Sequence, residues 1–122
     1  MRILVVEDET LLALDLATML EQLGHCVIGP ACRLDQGLQL VRSHAIDAAL
    51  LDWNLNGADS TRIVDHLDER QVPFALISGY AARYFPVPLR DRPLLRKPYT
   101  YQELERVLTD LQNRCKRLLG RD

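Results

Sequence analysis

Five short apolar runs alternate along the chain with longer segments in which apolar residues recur at helical spacing. The runs cover residues 3–6, 26–30, 48–51, 74–77 and 94–95. Continuous apolar runs of this length are typical of strands that are buried on both faces. Strands that alternate with helices form a parallel sheet with helices on both faces. The sequence therefore predicts an α/β fold with a five-stranded parallel sheet.

The segments between the runs carry signals for helices. Apolar residues at helical spacing predict a first helix that ends before Gly24, a second across residues 34–41 and a third across residues 63–67. A last helix is predicted after Thr100, because Thr100 and Glu103 have the spacing of a capping box and a long apolar stripe follows them.

Length and charge limit the classes of function. With 122 residues the chain is predicted to form one domain, residues 1–122. The net charge of −2 argues against bulk electrostatic binding to nucleic acid or to an anionic membrane. No apolar segment approaches the length of a membrane span. We therefore expect a cytoplasmic protein without nucleic-acid or membrane partners.

Polar residues stand at the ends of four of the predicted strands. They are Glu7, Asp8, Asp52, Ser78 and Lys97. Taken singly, each has a structural explanation as a helix cap, a turn residue or a member of an ion pair. However, the carboxyl ends of parallel strands meet at one edge of a sheet, where α/β folds bind ligands. Together these residues predict one polar site at that edge.

The residue types at this edge indicate phosphoryl chemistry. Three neighbouring carboxylates repel one another, and a divalent cation removes that penalty. Ligands that are all oxygen favour Mg²⁺. An aspartate such as Asp52 is a competent nucleophile toward phosphorus. Mg²⁺ and Lys97 would neutralise two phosphoryl oxygens, and the Ser78 hydroxyl could donate to the third.

Four short motifs resemble those of the response-regulator receiver (CheY-like) domains of two-component signalling. They are LVVEDE at residues 4–9, LLDWNL at 50–55, ISGY at 77–80 and RKPY at 96–99, in the family's order. The resemblance covers essentially the whole chain. It implies a doubly wound, flavodoxin-like sheet with strand order 2-1-3-4-5.

The resemblance also assigns roles to the acidic residues. It implies that Asp52 is the phosphoacceptor. Glu7 and Asp8 would be the acidic pair that serves Mg²⁺, together with Asp52 and the backbone carbonyl of Asn54. The chain would be a signalling domain and not an enzyme, apart from limited self-catalysed phosphotransfer and dephosphorylation.

On the remaining strand ends, the resemblance makes Ser78 the switch hydroxyl and Lys97 the phosphate-binding lysine. The peptide bond between Lys97 and Pro98 corresponds to the family's cis bond. The chain departs from the family at Leu94, where a switch aromatic is usual. Three further residues are predicted to form the rim of the site: Trp53, Gly79 and Tyr80.

A subgroup resemblance bears on the partners. Residues 73–80 and 94–99 resemble the FAT GUY receivers, which are mostly single-domain proteins served by HWE or HisKA2 histidine kinases. This implies a sensor histidine kinase or a histidine phosphotransferase as phosphate source and a downstream protein as target, and it allows a homodimer.

The sequence also indicates where a signal would leave the domain. The 80–93 segment contains three prolines, so we expect at most a short helix there, followed by a loop. Five of the six Tyr and Phe residues lie in or near this segment: Tyr80, Tyr84, Phe85, Tyr99 and Tyr101. We therefore predict a readout surface formed by this segment, the fifth strand and the last helix.

Two alternatives remain at this stage. A haloacid-dehalogenase-like phosphatase also uses a strand-end aspartate with Mg²⁺, but it needs a second acid two residues later, where this chain has Asn54. A degenerate receiver that acts only as a protein-interaction scaffold would not need the acidic residues and lysine that are present.

Overall fold

The computed structural model describes residues 1–118; residues 119–122, the end of the predicted domain, lie outside the described residues. The strands are β1 (Arg2–Val6), β2 (Cys26–Ala31), β3 (Ala48–Asp52), β4 (Asn54–Leu55), β5 (Ala58–Asp59), β6 (Phe74–Ser78) and β7 (Leu94–Arg96). The α-helices are α1 (Thr10–Gln22), α2 (Leu34–Ser43), α3 (Thr61–Glu69) and α4 (Tyr101–Leu118). The main sheet has the order β2-β1-β3-β6-β7, and all its pairs are parallel. This confirms the predicted order of five strands.

Successive residues of each central strand point to opposite faces of the sheet, so two separate cores form. In β1, Ile3 and Val5 face α1 and α4, whereas Leu4 and Val6 face α2 and α3. All four side chains are completely buried. The sheet is therefore covered by helices on both faces, as the unbroken apolar runs predicted.

The helix ends follow the sequence signals. Thr100 Oγ1 accepts the Glu103 N–H at 3.1 Å, and Glu103 Oε1 accepts the Thr100 N–H at 3.2 Å, which completes the capping box before α4. Helix α1 ends at Gln22, and Gly24 follows with a φ of 89°, a conformation that suits glycine. Among residues 1–118, no helix is long and apolar enough to cross a membrane.

The connection between β6 and β7 has little regular structure, as its prolines predicted. It contains two 3₁₀ turns, Ala82–Tyr84 and Val87–Leu89. Phe85 and Leu89 are buried in the core beneath α2 and α3 and anchor the segment to the sheet. The rest of the segment lies largely on the surface.

The β4–β5 hairpin was not predicted from the sequence. It turns at Asn56 and Gly57, whose φ angles are 53° and 88°. Two successive positive φ angles define a type I′ turn, for which Asn-Gly is the preferred pair. The predicted ends of the third and fourth main strands are confirmed, because β3 ends at Asp52 and β6 ends at Ser78.

Close packing at Gly37 can be tested by substitution. A Cβ atom on Gly37 would lie 2.8 Å from Ile63 Cδ1 and 3.2 Å from Val6 Cγ2, where α2 meets β1 and α3. We expect Gly37→Val to lower the free energy of unfolding by about 1–3 kcal/mol through overpacking. Gln39→Val, at an exposed position of the same helix, is the control for helix propensity. Equal losses of unfolding free energy in the two variants, measured by urea denaturation, would contradict this account.

Candidate functional site

Three carboxylates meet at the carboxyl edge of the sheet. Val6 and Leu51 are paired across β1 and β3, so the residues that follow them, Glu7 and Asp52, lie side by side. Glu7 is 1% exposed, Asp52 is 5% exposed and Asp8 is half-buried. One oxygen from each of the three acids lies within 4.8 Å of the others. The sheet thus brings together the acids that the sequence placed at its strand ends.

Lys97 supplies the positive charge of this cluster. Its Nζ lies 3.0 Å from Asp52 Oδ2 and 3.2 Å from Glu7 Oε2. The Lys97 N–H donates to the Ser78 carbonyl at 2.8 Å, and the Lys97–Pro98 peptide bond is cis. Buried carboxylates are costly without a partner. The lysine therefore holds together acids from two different strands.

The electrostatics of the cluster differ between its members. Burial, followed by the hydrogen bond and the charge of Asp52, raises the pKa of Glu7 to about 8. Burial alone would lower the pKa of Lys97, but hydrogen bonds and charges from Asp52 and Glu7 outweigh it, and the pKa of Lys97 is raised. Near neutral pH, the metal-free site therefore retains a proton on Glu7 and a full charge on Lys97.

Ser78 lies at the end of β6, and β6 pairs with β3 along its length. It is 5% exposed, and its Oγ accepts the Tyr80 N–H at 2.9 Å. A hydroxyl oxygen that accepts this bond still has its hydrogen available to donate. Ser78 thus reaches the same edge of the sheet as the three acids and Lys97.

The loop after β3 is shaped by hydrogen bonds to the acids. The Asn54 N–H donates to Asp52 Oδ1 and the Asn56 N–H donates to Asp8 Oδ2, each at 3.2 Å. Ser60, completely buried, donates from its Oγ to the Asp52 carbonyl. Ser60 was not predicted as part of the site, because a serine just before a helix is most simply interpreted as a cap.

A cleft of about 770 Å³ opens above the acids. The predicted rim residues Trp53, Gly79 and Tyr80 all line it. Tyr84 and Phe85 line it as well, although they were predicted only as part of a readout surface. This edge of the sheet therefore has an aromatic wall contributed by the β6–β7 segment.

The donor set fits a hard divalent cation. Glu7, Asp8 and Asp52 offer carboxylate oxygens only, which suit Mg²⁺ better than they suit Zn²⁺. These three acids are the residues that could hold the ion. A contribution from the Asn54 carbonyl stays a prediction.

The fold agrees with comparisons to known proteins. Residues 3–108 match the model of the response regulator receiver domain. The chain belongs to this family, so it is a receiver domain of two-component signalling with a CheY-like fold.

Individual relatives refine this assignment. The solution structure of SdrG from Sphingomonas melonis Fr1 is 37% identical, with a TM-score of 0.81, and the match covers 91% of this chain and 95% of SdrG. PhyR of Methylorubrum extorquens is 29% identical over 115 residues, 88% of this chain and 42% of PhyR. These relatives fit the predicted FAT GUY-like subgroup.

A more distant structure shares the fold. The receiver domain of the sensor histidine kinase PA1611 from Pseudomonas aeruginosa PAO1 is 24% identical, with a TM-score of 0.74, and the match covers 92% of this chain and 97% of that domain. The chain spans about half the length of the curated relatives it matches.

The protonation of Glu7 predicts a dependence of stability on pH. Between its ordinary pKa of 4.5 and its folded value of about 8, the folded protein holds a proton that the unfolded chain releases. The stability of the metal-free protein should therefore fall as pH rises through this window. Glu7→Gln removes this effect, and we expect it to raise the free energy of unfolding at pH 8 by about 2 kcal/mol relative to wild type.

Denaturant titrations in a chelator at pH 5 and pH 8 measure this difference. Glu21→Gln, at an exposed position of α1, is the matched control and should keep the wild-type dependence of stability on pH. A Glu7→Gln variant that is less stable than wild type at pH 8 would contradict the raised pKa of Glu7 in the folded protein.

Proposed function

We propose that Asp52 accepts a phosphoryl group from a phosphohistidine with the help of Mg²⁺. The observation that carries this proposal is the position of Asp52: nearly buried at the end of a central strand, 3.0 Å from Lys97 and beside two further acids. Such an arrangement provides a fixed nucleophile and neutralises charge on the incoming group. One Asp52 oxygen would form the bond to phosphorus as the bond from the donor nitrogen breaks.

Each neighbour of Asp52 has a role in this proposal. Glu7 and Asp8 hold Mg²⁺, which when bound neutralises charge on the phosphoryl oxygens. Lys97, already in contact with Asp52, pairs with a second phosphoryl oxygen. The Ser78 hydroxyl donates a hydrogen bond to the third, so the state in which the site has closed is favoured after transfer.

Two relatives support this chemistry. The PA1611 receiver has a magnesium ion coordinated in its active site cleft, and SdrG has been determined in a BeF3-activated conformation. The subgroup resemblance favours a histidine kinase of the HWE or HisKA2 type, or a histidine phosphotransferase, as donor in the cytoplasm. The 80–93 segment, β7 and α4 would present the changed conformation to a downstream protein.

The geometry does not favour the phosphatase alternative. Asn54 stands where such an enzyme needs a general acid, and its Oδ1 accepts the Gly57 N–H at 2.9 Å. An amide with this bond shapes the β4–β5 turn and has no acidic proton to give. The complete set of acids and lysine likewise argues against a role as scaffold alone.

Asp52→Asn tests the acceptor assignment. We expect wild type to gain one phosphoryl group from acetyl phosphate in the presence of Mg²⁺, and Asp52→Asn to gain none because an amide is not a nucleophile toward phosphorus. Intact-protein mass measures both. Asp59→Asn, which also lines the cleft but lies on the hairpin, is the matched control and should be labelled like wild type. Normal labelling of Asp52→Asn would overturn the proposal.

Asp8→Asn tests the metal assignment. Trp53 is the only tryptophan of the chain and lines the cleft, so its fluorescence should change as Mg²⁺ binds. We expect Asp8→Asn to weaken Mg²⁺ binding at least about tenfold through loss of a charged ligand. Asp65→Asn, an exposed aspartate of α3, should bind Mg²⁺ like wild type. Equal affinities of all three proteins would exclude Asp8 as a ligand.

A further inference from the structure

The missing switch aromatic poses a question about how the acceptor site communicates with the 80–93 segment. Leu94 of β7 occupies that position, and it is a half-buried aliphatic residue that packs into the core beneath α2 and α3. Its side chain has no ring to move between two positions. A coupling between Asp52 and the surface would therefore have to use other contacts.

A pair of aromatic rings joins the end of β3, the strand that carries Asp52, to the 80–93 segment. The centroids of the Trp53 and Phe85 rings are 5.5 Å apart and the rings are tilted by 56°, a favourable geometry for an aromatic pair. Trp53 directly follows Asp52, and its backbone is held by the Ile77 carbonyl at 2.9 Å and by the Ser60 N–H at 3.1 Å. Trp53 is thus a rigid extension of β3.

Phe85 is the corresponding fixed point of the segment. It is 3% exposed and directly follows the 3₁₀ turn Ala82–Tyr84. Its N–H donates to the Ala82 carbonyl at 3.0 Å, and its carbonyl accepts Arg90 Nε at 2.9 Å. The backbone bonds of Phe85 therefore join the turns on both sides of this fixed point.

A second connection begins at Ser78. Its Oγ accepts a hydrogen bond from the Tyr80 N–H. The Tyr80 ring makes an edge contact with the Tyr84 ring, and the two ring centroids are 6.0 Å apart. Tyr80 and Tyr84 are 66% and 63% exposed, so this end of the segment is held weakly. Movement of the Ser78 hydroxyl toward a phosphoryl group on Asp52 would weaken its bond to the Tyr80 N–H. The segment then remains attached through Phe85.

We infer that Phe85, packed against Trp53, is the pivot through which phosphorylation of Asp52 changes the position of the Ala82–Tyr84 turn. Phe85 is a positioning residue, because it acts through Trp53 and takes no part in phosphoryl transfer. The inference rests on the proposed acceptor function. It assigns to the Trp53–Phe85 contact the coupling that Leu94 cannot provide.

Amide chemical shifts measured as beryllofluoride and Mg²⁺ are added test the inference, with beryllofluoride standing in for the phosphoryl group. In wild type, we expect shifts at the amides of Asp52 and Ser78 and also at those of Tyr84, Val87, Leu89 and Arg90. In Phe85→Leu, we expect the shifts at these last four amides to fall by roughly half or more, because the coupling contact is lost. The shifts at Asp52 and Ser78, and labelling by acetyl phosphate, should remain.

Two controls separate coupling from a loss of packing. Phe74→Leu removes the chain's other phenylalanine from the same core, at the far end of β6, and should leave the response of the segment intact. At the partner position, Trp53→Phe keeps a ring and should preserve the response, whereas Trp53→Leu should reduce it as Phe85→Leu does. A purely structural role would make the Phe74 and Phe85 variants behave alike, which would overturn the inference.

The outcomes distinguish this inference from the proposed function. If wild type shows no shifts at Asp52 and Ser78, the acceptor function is wrong and the coupling fails with it. The coupling alone is wrong if those shifts are present and the amide shift changes at Tyr84, Val87, Leu89 and Arg90 are equal in wild type, Phe85→Leu and Trp53→Leu.

Discussion

The contact of Lys97 with Asp52 and Glu7 is the interaction on which the site depends. Two carboxyl groups that are nearly buried side by side are costly to ionise without a cation in contact with both. Lys97 reaches them because β7 pairs with β6 and because its backbone is bonded to Ser78. The edge strand β7 is therefore required to balance the charge of residues at the ends of the central strands β1 and β3.

The molecule separates a rigid site from a more weakly held surface. The acids and Ser78 stand on strands whose side chains are completely or almost completely buried on both faces. The β6–β7 segment, by contrast, has only two short 3₁₀ turns and two buried anchors, Phe85 and Leu89. Chemistry that needs fixed geometry can thus take place beside a segment that is able to change position.

Much of this architecture could be predicted from local patterns. Unbroken apolar runs and helical periodicity indicated the five main strands and the helices, because each signal lies within a few neighbouring residues. The β4–β5 hairpin was missed, although Asn56 and Gly57 are the turn pair that marks it. Ser60 could not be recognised, because its bond to the Asp52 carbonyl joins residues on opposite sides of that hairpin.

The sequence by itself determined which side chains stand at the strand ends, because parallel strands place their carboxyl ends at one edge of the sheet. Only the tertiary structure decided that Glu7 is buried deeply enough for its pKa to rise to about 8. It also decided that Trp53 contacts Phe85. Both results depend on burial and on distances between residues far apart in the chain, which local sequence patterns do not contain.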